Sequence, residues 1–283
     1  MRVKVHDARA CDLGEGPLWH PGRQQLFWFD INACRLLTRM AGGARHWTFD
    51  GPVSAAGWID DDTLIVAGDR ALMRFAISDG ETAPLCDLEA DRPETRSNDG
   101  RADPHGGFWI STMGRRAEPG AGAIWRYHRG EMRRLFGDLT IPNAICFSAD
   151  GRLAHFTDTA RAVICRVPLG EDGWPTGPAT DWLDLGPRGL RPDGAVIDAA
   201  GNLWSAQYGA GRLACYAPDG TEIRTVSLPA KQPTCPAFGG PDLSVLYCTS
   251  AAQDMEGGAP QGQGSTFAVT GAGTGRPEPR VIP

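Results

Sequence analysis

Short apolar runs recur along the chain, each introduced by a polar turn containing Asp, Gly or Pro. They read HPGRQQLFWFDI (20–31), DDDTLIVAGDRALMRF (60–75), DPHGGFWISTMG (103–114) with GAIWRY (122–127), SADGRLAHFTDTARAVICRV (148–167), DAAGNLWSAQYGAGRLACYAPDG (198–220), and GGPDLSVLYCTS (239–250) with GSTFAV (264–269). The middle of what we read as each unit's first strand falls at Trp28, Val66, Trp109, Phe156, Trp204 and Tyr247. The intervals are 38, 43, 47, 48 and 43 residues, within the range of propeller blades. No long stretch carries an apolar period of 3.6, so almost no helix is expected. Six hairpin–turn–hairpin units predict an all-β, six-bladed β-propeller with four antiparallel strands per blade. Closing the ring removes the exposed sheet edges that an open stack would leave. The alternating run RVKVHD (2–7) is expected to complete the last blade, beside GSTFAV or RPEPRVIP. The stretch MEGGAPQGQGS (255–265) reads as a flexible loop within that blade. No linker interrupts the pattern, so residues 1–283 are expected to form a single domain. Two stacked β-sandwiches are the alternative, but they explain the regular spacing less well.

Composition narrows the function. Gly (37) and Pro (22) suit a turn-rich fold and argue against a helical bundle. The net charge of −6 comes with no basic block, so no nucleic-acid partner is expected. No apolar run is long enough to span a membrane. The first residues lack a signal-peptide core, and a cytoplasmic, monomeric protein is expected. Eight scattered cysteines form no CxxC pair and read as reduced thiols, mostly buried. Neither GxSxG, HExxH nor GxGxxG occurs, which leaves out the corresponding serine hydrolase, zinc and dinucleotide devices.

Loops from all blades of a propeller converge at one end of its channel, so polar residues next to channel-lining strands are the candidates for chemistry. Four places stand out: Glu15 in LGEGPLWHP, Arg96, Asn98 and Asp99 in RSNDGRADP, Asn143 in IPNAICFSADG, and Asp193 in RPDGAVIDAAGNLW. Each reads as a polar residue leading into a channel strand. Glu, Asn and Asp together offer oxygen ligands suited to a hard divalent cation. The plainer reading of each is a turn residue bonding its own backbone. His105, near the RSND block, and the aromatic faces of Trp19 and Trp174 are lesser candidates for touching a substrate.

LGEGPLW, RSNDGRADP, STMG, PNAICFSADG followed by HFTDT, RPDGAVIDAAGNLW and CPAFGGPDLSVLYCTSA occur in an order and register that resemble the senescence marker protein, gluconolactonase and luciferin-regenerating enzyme family. The resemblance implies a six-bladed propeller with one divalent metal (Ca²⁺, Mg²⁺, Mn²⁺, Zn²⁺ or Fe²⁺). It implies metal ligation by Glu15, Asn143 and Asp193, and substrate binding by Arg96, Asn98 and, in the loop after STMG, Glu118. Two positions depart from the family pattern. Ala144 stands where Gly is usual, and Ala resists positive φ. Arg191 stands where Tyr is frequent, placing a cation near the mouth.

The activity so implied is hydrolysis of a sugar lactone to the aldonic acid. Metal-activated water would attack the carbonyl, and Asp193 would act as general base. Two alternatives stay open: a hydrolase of non-sugar lactones or aryl esters on the same metal site, and a non-catalytic calcium-binding propeller.

Overall fold

Six four-stranded antiparallel sheets surround a common axis in the computed structural model, which describes every residue except 41, 256–259 and 261. Residues 14–48, 53–87, 95–139, 142–184 and 191–227 supply blades one to five in sequence order. Blade six takes three strands from residues 233–270, and its outermost strand, Arg2–Asp7, comes from the other end of the chain. Arg2 to Val5 pair antiparallel with Thr270 to Phe267, so GSTFAV rather than RPEPRVIP is the partner. Apart from one 3-10 turn at Gly186–Arg188, no helix occurs among the described residues, and none is long and apolar enough to cross a membrane. The expected loop at 255–265 falls partly outside the described residues. All eight cysteines are unpaired; six are buried, and Cys34 and Cys86 are half-buried.

The apolar runs centred on Trp28, Val66, Trp109, Phe156, Trp204 and Tyr247 are the second strands of their blades, not the first. They are buried on both faces, because neighbouring blades pack against them. Trp28, Trp109 and Trp204 are wholly enclosed, and so are Phe27, Phe29 and Phe75. Burial of one such phenylalanine contributes on the order of 1.5–3 kcal/mol.

The first strand of each blade lines the axis, and these strands read poorly in the sequence because they are rich in Gly, Pro and polar residues. They are Gly14–His20, Val53–Trp58, Thr95–Ala102, Pro142–Phe147, Arg191–Ile197 and Pro233–Gly239. Every one of them is broken by a β-bulge at the same level. The register slips between Glu15 and Leu18, Val53 and Ala55, Ser97 and Gly100, Asn143 and Cys146, Pro192 and Ala195, and Pro233 and Pro236. A bulge turns side chains that would otherwise alternate between blade faces. At the axis the backbones nearly touch: a Cβ on Gly16 would run into the carbonyl oxygen of Ser54.

Beyond the last strand, residues 272–283 run as a strap across the end of the channel reached by the far ends of these strands. Thr274 O accepts from Ala199 N in blade five (2.8 Å), and Gly275 N donates to Leu243 O in blade six (2.8 Å). Arg276 Nη2 donates to Phe147 O in blade four (2.7 Å). Glu278 meets Arg101 of blade three at 3.1 Å and accepts through its carbonyl from Trp58 Nε1 of blade two (2.8 Å). Val281 is wholly buried between blades two and three. The strap thus stoppers one end of the channel and leaves the other to the site.

Candidate active site

At the open end, Glu15, Arg96, Asn98, Asn143 and Asp193 line one cavity of about 500 Å³. They come from the axial strands of blades one, three, four and five. All five lie within the strands, at or beside the bulges, and not in turns leading into them. Pro192-Asp193-Gly194, which carries a turn signature, is a strand bulge in which two residues face the single residue Ala206. A Cβ on Gly194 would collide with Cys235 of the next blade, so glycine there lets blades five and six close around Asp193.

A hydrogen-bond relay crosses three blades. Arg96 Nη1 donates to Asn98 Oδ1 (2.9 Å), and Asn98 Nδ2 donates to Asn143 Oδ1 (3.0 Å) and to Pro142 O (3.0 Å). Asn143 Nδ2 donates to Thr159 Oγ1 (3.0 Å), whose hydroxyl donates to Pro192 O (2.7 Å). Because the Thr159 proton is committed to a carbonyl, its oxygen must accept, which fixes Asn143 with nitrogen toward Thr159 and oxygen toward Asn98. One lone pair of that oxygen is left over.

Ala144, next in the chain, has φ +57° and no exposed surface. Gly16 has φ +53° at the matching place after Glu15. The left-handed backbone that glycine adopts freely is thus imposed here on alanine. Asp99 helps hold it, since its Oδ2 accepts from Ile145 N at 2.7 Å.

Two further carboxylates clamp the segments ahead of these strands. Asp30 accepts from the backbone N–H groups of Asp12 and Leu13, both at 3.2 Å. Asp158 does the same for Thr140 (2.9 Å) and Ile141 (3.0 Å). Each sits at the end of the second strand of its blade and fixes the approach to the axial strand carrying Glu15 or Asn143.

Electrostatically the cavity floor is out of balance. Burial, then the charge of Asp99, pushes Glu15 up to about 8, and Gly16 N–H (2.8 Å) and Arg96 only partly oppose this. Burial, then Glu15 and Asp99, pushes Asp193 well above the usual carboxylate range. Two buried carboxylates with no ion-pair partner among the described residues, in one cavity with an amide oxygen that has a spare lone pair, fit a hard divalent cation. Among the described residues no three His, Cys, Asp or Glu side chains converge as a ligand cluster; the set fits through its neutral third member, Asn143.

Glu118 is not brought into this cavity. Its carboxylate folds back to accept from Arg116 N at 3.0 Å in its own loop. His105 lies beyond the opposite end of its strand, with Nε2 2.9 Å from Gly151 O. Trp19 is buried against Tyr247, and Trp174 is covered by the guanidinium groups of Arg126 and Arg133. None of these four lines the cavity. The polar lining residues not foreseen are Asn32, Arg115, Arg116, Thr159, Tyr208, Gln253 and Asp254. Thr159 and Tyr208 end or follow second strands, so the HFTDT and AQYG segments carried a signal; Arg115, Arg116 and Gln253 sit on loops whose reach only the fold defines.

A closed six-bladed propeller with a carboxylate-and-amide cavity at one mouth is the class that fold and geometry define. The family model described as the SMP-30/gluconolactonase/LRE-like region matches residues 13–252, and the chain belongs to that family. It is 35% identical over 248 residues to the 6-deoxy-6-sulfogluconolactonase of Pseudomonas putida, covering 86% of this chain and 84% of that one. It is 33% identical over 279 residues to the pentonolactonase XacC of Haloferax volcanii, covering 95% and 94%. The crystal structure of a calcium-binding protein, regucalcin, from Agrobacterium tumefaciens superimposes with a TM-score of 0.95 at 39% identity, covering 99% of this chain and 97% of that one.

Proposed function

We propose that the chain is a metal-dependent sugar lactonase that hydrolyses an aldonolactone to its aldonic acid. The observation that carries this is the convergence of Glu15, Arg96, Asn98, Asn143 and Asp193 on one cavity whose two buried carboxylates make no ion pair among the described residues and are only partly offset by Arg96. Relatives named as lactonases support the reaction class, and the calcium-binding relative supports a divalent ion. Glu15, Asn143 and Asp193 would hold that ion. When bound it would supply electrophilic pull on the lactone carbonyl and acidify a nearby water.

In this reading the protein's own residues divide the remaining work. Asp193 takes a proton from the attacking water on a carboxylate oxygen and returns it to the ring oxygen as the C–O bond breaks. Arg96 spends one nitrogen on Ser97 O and Asn98 Oδ1, which leaves its remaining donors for substrate hydroxyls and the developing oxyanion. Asn98 is fixed by its two acceptors and orients the sugar through its carbonyl side. The polar lining favours a hydroxyl-rich substrate over an apolar aryl ester.

The test is a pH-stat panel of aldonolactones on chelator-stripped protein with each of Ca²⁺, Mg²⁺, Mn²⁺, Zn²⁺ and Fe²⁺ restored, with spontaneous opening subtracted. The reading expects hydrolysis restored by a metal and lost in Asp193→Ala. Folded protein that binds the ion but shows no rate above background on any lactone would overturn it in favour of a binding propeller.

A further inference from the structure

Four arginines, Arg96, Arg115, Arg116 and Arg191, line the cavity against three carboxylates, Glu15, Asp193 and Asp254, in a chain whose net charge is −6. With Arg115 paired to Asp69, the remaining arginines equal these carboxylates in number, although the molecule as a whole is acidic. Arg96 faces inward onto Ser97 and Asn98, and Arg115 is neutralised by Asp69 at 2.5 and 2.6 Å. Arg116 and Arg191 are exposed at the mouth, and among the described residues neither guanidinium has an ion-pair or hydrogen-bond partner.

Their placement is directional. Arg116 lies on the loop after the second strand of blade three, and Arg191 opens the axial strand of blade five. Blade four lies between them. There the cavity runs on into a groove of about 490 Å³, and Ala117, Ile141, Thr159 and Arg191 border both spaces. A lactone with its carbonyl over Glu15, Asn143 and Asp193 would reach outward past Arg116, which lines the cavity, and Arg191, which borders both the cavity and the groove.

We propose that Arg116 and Arg191 form an anion subsite, so that the preferred lactone carries a negatively charged group remote from the ring carbonyl. The shared chemistry is a tetrahedral or planar oxyanion (sulfonate, phosphate or carboxylate) accepting charge-assisted hydrogen bonds from guanidinium groups. This inference rests on the lactonase reading and narrows its substrate class.

The experiment compares kcat/KM for an uncharged hexonolactone with its counterparts bearing carboxylate, sulfonate or phosphate at the carbon farthest from the carbonyl. The three charged arms distinguish which anion is taken. At low salt the best charged lactone should be preferred by about tenfold or more, the factor that corresponds to about 1.4 kcal/mol. That preference should shrink as salt approaches about 0.15 M, while the rate on the uncharged lactone stays flat. Arg116→Ala and Arg191→Ala should each cut the charged-to-uncharged ratio about tenfold, and the lysine variants should recover part of it. Equal kcat/KM for charged and uncharged lactones, or a preference that neither variant alters, overturns the subsite and leaves the lactonase reading standing. Failure to hydrolyse any lactone overturns both.

Discussion

Glu15→Gln should make the metal-free protein more stable at alkaline pH, not less. In the unfolded chain Glu15 ionises near 4.5, whereas in the fold it does so near 8. Below about pH 4.5 both states hold the proton and folding carries no penalty. Between 4.5 and 8 the unfolded chain releases its proton while the fold retains it, so native stability falls as pH rises. Above 8 both are ionised, and the penalty levels off at about 5 kcal/mol by the scale of 1.36 kcal/mol per pKa unit. Glutamine removes the charge and keeps the shape, so most of this should be recovered, with about 2 kcal/mol given back for burying an unpaired amide. The net gain of about 3 kcal/mol amounts to a rise of about 6–12 °C in Tm for a chain near this size. The assay is thermal unfolding in chelator at pH 5 and pH 9, repeated with a divalent ion. Wild type should melt lower at pH 9 and be rescued by the ion; Glu15→Gln should show a smaller drop between pH 5 and pH 9, the remainder coming from buried Asp193, and less rescue. A Tm for wild type that does not change with pH in chelator, or a Glu15→Gln variant destabilised at pH 9, would refute the account of an uncompensated carboxylate pair.

Three other outcomes follow from the geometry. Asp158→Ala frees the N–H groups of Thr140 and Ile141 and should cost about 2–4 kcal/mol in urea unfolding; it should also weaken ion binding, measured by calorimetry, because Asn143 follows directly. Glu278→Ala leaves Arg101 buried without its partner and should cost about 3–5 kcal/mol, whereas the double variant Arg101→Met/Glu278→Leu should lose much less in the same assay. Ala144→Gly removes about 1–2 kcal/mol of left-handed strain but adds chain entropy and deletes a buried methyl of similar worth, so its unfolding midpoint should move little, while Ala144→Val should unfold at clearly lower denaturant.

The ring was legible from the sequence because the second strands are sandwiched between blades and must be apolar throughout. Trp28, Trp109 and Trp204 announce three of them. The axial strands were not legible as strands. Crowding at the axis demands Gly14, Gly16, Gly100 and Gly194, and the cavity demands polar groups, so the segments that do the chemistry imitate turns. Glu15, Asn143 and Asp193 were singled out correctly as neighbours of the channel but placed one element too early. The placing of Glu118 was not legible, since the turn of its own loop aims the carboxylate at the Arg116 N–H, and no motif encodes that turn. The strap at 272–283 had no periodic signal because it bonds to five blades in turn and to no single strand.

The six bulges at one level turn the ring into a set of interchangeable stations. Four blades use theirs for the cavity. Blade two offers Ser54, hooked to Ser97 Oγ at 2.9 Å, and blade six offers Thr234, hooked to Thr249 Oγ1 at 2.8 Å. Each station hangs on a blade whose apolar packing lies elsewhere, so one substitution can rewrite the chemistry at the axis without disturbing any core. Such a scaffold can change its substrate, or lose catalysis and keep ion binding, through a few point changes, and Ser54 and Thr234 are two stations outside the Arg96–Asn98–Asn143–Thr159 relay and open to that kind of divergence or to deliberate redesign.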